Sequence, residues 1–136
     1  MSKDLWINLP VKDVEESTAF FNSIGLQATN VGNVRAQISI GQTKILLFPI
    51  ETFEKFTGCK ATDTAQCGEV IFSIGADSRE EVDGFIQKVE LAGGRVFGRP
   101  SETDGWMYGA GFTDLDGHRW NLLYMDESKT KLGDEI

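Results

Sequence analysis

The chain has 136 residues and a mass of 15.0 kDa, enough to bury roughly two thirds of its unfolded surface without a disulfide or a metal. Thirteen Lys and Arg against 21 Asp and Glu leave a net charge of −8, which argues against binding a nucleic-acid backbone or an anionic membrane. A hydrophobic content of 40% is that of a globular protein, and fifteen glycines beside three prolines point to many tight turns.

The first stretch, Leu5 to Val11, alternates. Leu5, Ile7, Leu9 and Val11 share one face, and Trp6, Asn8 and Pro10 share the other, which reads as a strand with one face on an apolar layer. No secretory apolar run accompanies it, and no window reaches the ~20 apolar residues of a membrane span, so a cytoplasmic protein without membrane contact is expected. Asp13 and Glu16 form a capping-box pair, Val14, Thr18, Phe21 and Ile24 make a helical stripe, and Gly25 closes it. Strands are expected at 27–30, 34–40 and 44–49, with Gly32-Asn33 and Gly41-Gln42 as turns. Residues 53–66 are polar apart from Phe53 and Phe56 and read as a connector with one helical turn. Cys59 and Cys67 lie eight apart, which is no Cys-x-x-Cys metal or redox spacing, so two free thiols are expected.

The pattern then restarts. Residues 69–76 alternate as a strand, Ser78 and Glu81 form a second capping box, and Val82, Phe85, Ile86 and Val89 make a second stripe ended by Gly93-Gly94. Strands are expected at 95–98, 106–113 and 119–125, with Asp114-Leu115-Asp116-Gly117 as a strong turn. The two N-caps lie 65 residues apart and the two closing glycines 68, so the chain repeats its order of elements without repeating its letters. The expected fold class is α+β: two paired βαβββ units forming a curved eight-stranded mixed sheet around a cavity. The domain is expected to span residues 1–126, with units at about 4–50 and 69–126, a connector at 51–68 and a polar tail at 127–136. A cavity of that kind is a default small-molecule site.

Leu9-Pro10-Val11-Lys12-Asp13 before the first helix and Asp114-Leu115-Asp116-Gly117-His118 before the last strand, set in two βαβββ units, resemble the vicinal oxygen chelate superfamily. Its members include glyoxalase I, extradiol dioxygenases, and fosfomycin- and bleomycin-resistance proteins. The likeness covers roughly residues 4–126. With Asn8 to Asp13, Ser78 to Asp83, Met107-Tyr108-Gly109 and Asp114 to Trp120, it is similar to a bacterial group labelled predicted lactoylglutathione lyases. The resemblance implies the glyoxalase/bleomycin-resistance fold and a homodimer. In the superfamily's enzymes, four His, Gln or Glu positions on the first and last strands of each unit hold a divalent metal. Carried onto this chain, those positions are Trp6, Leu46 or Leu47, Ile71 and Asn121. Three are apolar and the fourth is a neutral amide, so no metal and no cofactor is expected.

The remaining chemistry is sparse. His118 is the single histidine and reads as an exposed turn residue, and Asp114 and Asp116 read as turn caps. Ser73 lies on the predicted inner face but has no Gly-x-Ser-x-Gly elbow and no base. Trp6, Asn8, Ser73, Trp106, Tyr108 and Asn121 are the candidate ligand-binding residues, with the aromatics able to stack on a planar or cationic molecule. The expected function is metal-free binding or sequestration of a small organic molecule, cationic or aromatic, with no catalytic residue assigned. The alternatives are a superfamily lyase, isomerase or dioxygenase with an unorthodox metal site, and a dimeric interaction module without a usable cavity.

Overall fold

A computed structural model describes residues 4–64, 68–126 and 128 of the chain. Cys67 and nearly all of the tail lie outside the described residues. The chain divides into two units, Met1–Cys67 and Gly68–Ile136. In the first, strand β1 (Trp6–Val11) leads to helix α1 (Val14–Ser23), strands β2 (Gln27–Val31), β3 (Arg35–Ile40) and β4 (Thr43–Pro49), and helix α2 (Ile50–Thr57). The second runs through β5 (Ile71–Ala76), α3 (Arg79–Leu91), β6 (Arg95–Thr103), β7 (Met107–Thr113) and β8 (Arg119–Met125). Each unit holds a four-stranded mixed sheet, ordered β1-β4-β3-β2 and β5-β8-β7-β6. In both, the first strand lies parallel to the last and the other pairs are antiparallel.

Helices α1 and α3 take the N-cap residues that the sequence pattern names. The Asp13 carboxylate accepts from the Glu16 amide at 2.9 Å, and the Ser78 hydroxyl accepts from the Glu81 amide at 3.0 Å. The Glu81 carboxylate reaches back past the cap and accepts from the amide of Asp77, the residue before it, at 2.6 Å. Gly25 and Gly93 close α1 and α3 at φ +100° and +97°, which glycine adopts at little cost. In the first unit Leu9, Val11, Ala36, Ile38, Ile45 and Leu47 are buried on one sheet face with Phe20, Phe21 and Ile24 at the end of α1. In the second, Val82, Ile86 and Val89 of α3 are buried with the aromatic run Phe72, Trp120, Phe112 and Phe85, whose neighbouring rings lie 5.0 to 6.3 Å apart.

Two elements are longer than the sequence pattern suggests. The connector holds an eight-residue helix, α2, where one turn was expected. Pro49 precedes it and Gly58 ends it at φ +73°, while Phe56 packs edge-on against Phe48 at 4.9 Å. Strand β6 runs on past Gly98 and Pro100 to Thr103. It is an edge strand with two register shifts, so these breakers interrupt no ladder that needs them.

Candidate functional site

The strand registers decide which side chains share a face, because directly paired residues point the same way. In the first unit Asn8 pairs with Leu46 and Leu9 with Leu47. Leu46 therefore shares Trp6 and Asn8's face, away from α1, while Leu47 is fully buried on the other side. This settles the choice between the two leucines for the fourth-strand position: it is Leu46. Trp6 is 62% exposed, and Asn8 is exposed beside it.

In the second unit Ser73 pairs with Asn121 and Ile71 with Arg119, so these four line the sheet face turned away from α3. Asn121, Leu123 and Met107 border a depression of about 200 Å³ on that face, floored by Gly109, Ala110 and Gly111. The glycines are required there. A Cβ on Gly111 would meet the Phe97 ring at 2.5 Å, and one on Gly109 would meet Leu123 at 2.5 Å. The bare backbone lets both side chains fold down and form the walls. Within this site the Asn121 Oδ1 is enclosed and accepts no hydrogen bond. Its Nδ2 is not enclosed and bonds to none of the described residues. An unmatched amide of this kind is uncommon in a folded protein and calls for a partner.

Two of the residues named from the sequence lie elsewhere. Tyr108 falls on the other sheet face, where its hydroxyl donates to Asp83 of α3 at 2.7 Å and the Arg79 guanidinium sits 5.6 Å from its ring centre. That hydrogen bond raises the phenol above its usual pKa, since Asp83 holds its proton. Trp106 is half-buried in the turn before β7, its amide donating to the Thr103 carbonyl at 3.3 Å and its carbonyl accepting from Asp126 at 2.7 Å. It does not line the depression.

His118 is not the exposed turn residue its sequence context suggests: only 7% of it is accessible. The cause is Asp114. Its Oδ1 accepts from the amides of Asp116 and His118 at 2.9 and 3.0 Å, and its Oδ2 accepts from the Trp120 indole at 3.1 Å, which draws the turn inward. Burial pushes the Asp114 carboxyl above its ordinary pKa, opposed first by nearby His118 and then by the Trp120 bond. The two residues sequence reasoning missed are Arg119 and Phe97. Period-two alternation back from Asn121 places Arg119 on the same face, so the signal was present. For Phe97 only the glycines opposite it in β7 gave a hint.

A superfamily-type divalent centre was tested against the donor atoms present. Trp6, Leu46 and Ile71 offer none, and Asn121 offers a single neutral oxygen. A catalytic divalent ion takes about three protein ligands with charged or imidazole donors among them. Among the described residues no group of three His, Cys, Asp or Glu is placed to hold an ion. The residues do not fit such a centre, and no chemical step is assigned through one.

Comparison with known proteins agrees with the architecture. Residues 5–122 match the Glyoxalase/Bleomycin resistance protein/Dioxygenase superfamily. A hypothetical protein from S. aureus shares 35% identity over 91% of this chain and 94% of its own, with a TM-score of 0.82. A lactoylglutathione lyase from Agrobacterium tumefaciens shares 18% identity over 91% and 94%, TM-score 0.66. A genomically encoded fosfomycin resistance protein from Listeria monocytogenes shares 21% over 91% and 93%, TM-score 0.67. The latter two likenesses show the fold alone, and no curated protein matches the chain. With its two βαβββ units and a match over most of its length, the chain belongs to the Glyoxalase/Bleomycin resistance protein/Dioxygenase superfamily.

Proposed function

We propose that the protein binds a small organic molecule without a metal, as the drug-sequestering members of its superfamily do, and that Asn121 is the polar anchor. The observation that carries this reading is the unmatched Asn121 amide at the depression on the β7–β8 sheet face. With its oxygen enclosed, the amide turns its Nδ2 to the depression as the group a ligand can reach. Ser73, exposed beside Asn121, adds a hydroxyl. In the first unit, Trp6 and Asn8 expose an aromatic and an amide on one sheet face, a separate surface on which a planar molecule can stack. The setting that suits this reading is a cytoplasmic homodimer, as is common in the superfamily; no described helix is long and apolar enough to cross a membrane.

The test is native mass spectrometry of the purified protein for a co-purified molecule, with metal analysis and glyoxalase assays in added Ni²⁺, Zn²⁺ or Mn²⁺. A bound organic molecule is expected, with its occupancy falling about tenfold in Asn121→Ala through loss of one buried hydrogen-bonding group. Stoichiometric metal, or turnover that depends on metal and on Asn121, would instead support a superfamily enzyme with an unorthodox site.

A further inference from the structure

The chain is acidic overall, yet the face around Asn121 is not. None of the residues lining the depression is Asp or Glu. Of the second unit's helix acids, Glu80, Glu81 and Asp83 belong to α3 on the far side of the sheet, and Glu90 of the same helix reaches the edge strand. Arg99, which does line the depression, is neutralised by Glu90 through bonds of 3.0 and 2.6 Å. Arg119 is different. Among the described residues it makes no ion pair and no hydrogen bond. Its guanidinium lies over the Phe97 ring, 5.0 Å from the centre, and Phe97 is itself a wall of the depression. Its stem passes Gly68, where a Cβ would come within 3.1 Å of Arg119 Cδ. Among the described residues the cation is therefore held by packing on the Phe97 ring and Gly68 rather than by a carboxylate, and its donors meet no acceptor.

Asn121 stands two residues further along the same strand and face, with its unenclosed Nδ2. Beside the Ser73 hydroxyl and those of Ser101 and Thr103, which can donate or accept, the groups here without a partner among the described residues are two nitrogen donors: a planar guanidinium and an amide N–H₂. Two donors, one of them charged, with no carboxylate among the lining residues match an oxyanion.

We infer that the ligand of this face is an organic oxyanion, a carboxylate or a phosphate monoester, whose charged oxygens meet Arg119 and Asn121 and whose apolar body lies in the depression beside Phe97. This rests on the small-molecule reading and narrows it. It also departs from the cationic ligand that the net charge alone suggests, because the local charge, not the total, decides contact binding. Long-range repulsion by the remaining acids slows arrival and is screened at ordinary salt.

Three rings of one shape test it: benzoate, benzamide and benzylamine, with phenyl phosphate as a second oxyanion, titrated into the isotope-labelled full chain while backbone amides are followed by NMR. Benzoate and phenyl phosphate should shift Gly109, Gly111 and Asn121. Arg119→Met should weaken them at least about tenfold, the loss of one charge-assisted contact. Arg119→Lys, which keeps the charge but not the plane, should fall between. Should Arg119→Met fail to fold, Phe97→Leu removes the ring that holds the guanidinium and should weaken the oxyanions in the same order. If benzamide or benzylamine binds this face as well as benzoate and depends on Asn121, the oxyanion inference fails and the small-molecule reading survives. If no ring shifts these amides, both fall.

Discussion

Asp114 satisfies three donors with two oxygens, and this explains its position without any catalytic role. Asp114→Asn replaces one of those oxygens with an N–H₂ that faces a donor. A loss of about 1–3 kcal/mol in denaturant-derived stability is expected. The pH dependence has a definite sign. Burial raises the Asp114 carboxyl in the folded state, so the folded protein binds its proton more readily than the unfolded chain does. The stability this group contributes is fully present below its unfolded pKa and is lost as pH rises through the folded value. The gap between the parent and the non-titrating Asp114→Asn protein should therefore narrow from acid to neutral pH. A gap that widens would mean that the three donors outweigh burial and hold the carboxyl low. The turn-capping role of Asp114 was legible in its sequence, since Asp-x-Asp-Gly is a turn signal. The burial of His118 was not, because nothing local says that a surface turn is drawn inward by its first residue. The sequence offered Asn121 as a candidate, but not that its Oδ1 is enclosed without a hydrogen bond among the described residues.

Among the elements, the legible ones obeyed a single period. β1 follows alternation and α1 and α3 a 3–4 stripe, and the two helices' N-caps form with the residues the pattern names. β6 and α2 were foreshortened for opposite reasons. β6 contains Gly98 and Pro100, which stop a central strand but are tolerated at an edge, and edge position is a property of the whole sheet. α2 carries its apolar residues at Ile50, Phe53 and Phe56, one side of a short helix, too few for a stripe to stand out. Strand β4 shows where sequence reading runs out most plainly. Leu46 and Leu47 are adjacent and chemically identical, and only pairing with β1 tells them apart. Leu47→Ala should cost about 2–5 kcal/mol as a fully enclosed core leucine. Leu46→Ala, half-buried on the other face, should cost well under half as much in the same unfolding measurement. Equal losses would mean that the register is shifted by one.

Across the molecule, the repeat of βαβββ is the feature that identifies the family. It was readable from the spacing of caps and glycines although the two halves share almost no letters. The four positions carried over from the family could also be read one by one, and none of them is His, Gln or Glu. Added Ni²⁺, Zn²⁺ or Mn²⁺ should accordingly leave the melting temperature unchanged. A site filled at a hundred times its dissociation constant would add about 2.7 kcal/mol of stability, which a melting curve resolves easily. A metal-dependent rise that Asn121→Ala abolishes would restore the enzyme reading. A total of −8 says how the chain behaves in solution, but not that Arg119 on the second unit's sheet makes no ion pair among the described residues.

The pairing of first strand with last has a bearing on how the chain is made. Trp6 waits for Lys44, and Ile71 for Arg119, before either edge strand has a neighbour. On a ribosome, β1 emerges early and stays unpaired until β4 has followed, whereas the β2–β3 and β3–β4 hairpins form from adjacent chain. Each half thus closes in one late, long-range step, and such steps set the rate at which proteins of this topology fold. The first unit can complete its sheet before the second has been synthesised. A ribosomal pause shortly before β4 would hold an unpaired Leu5-Trp6 edge in the open, where aggregation competes with folding.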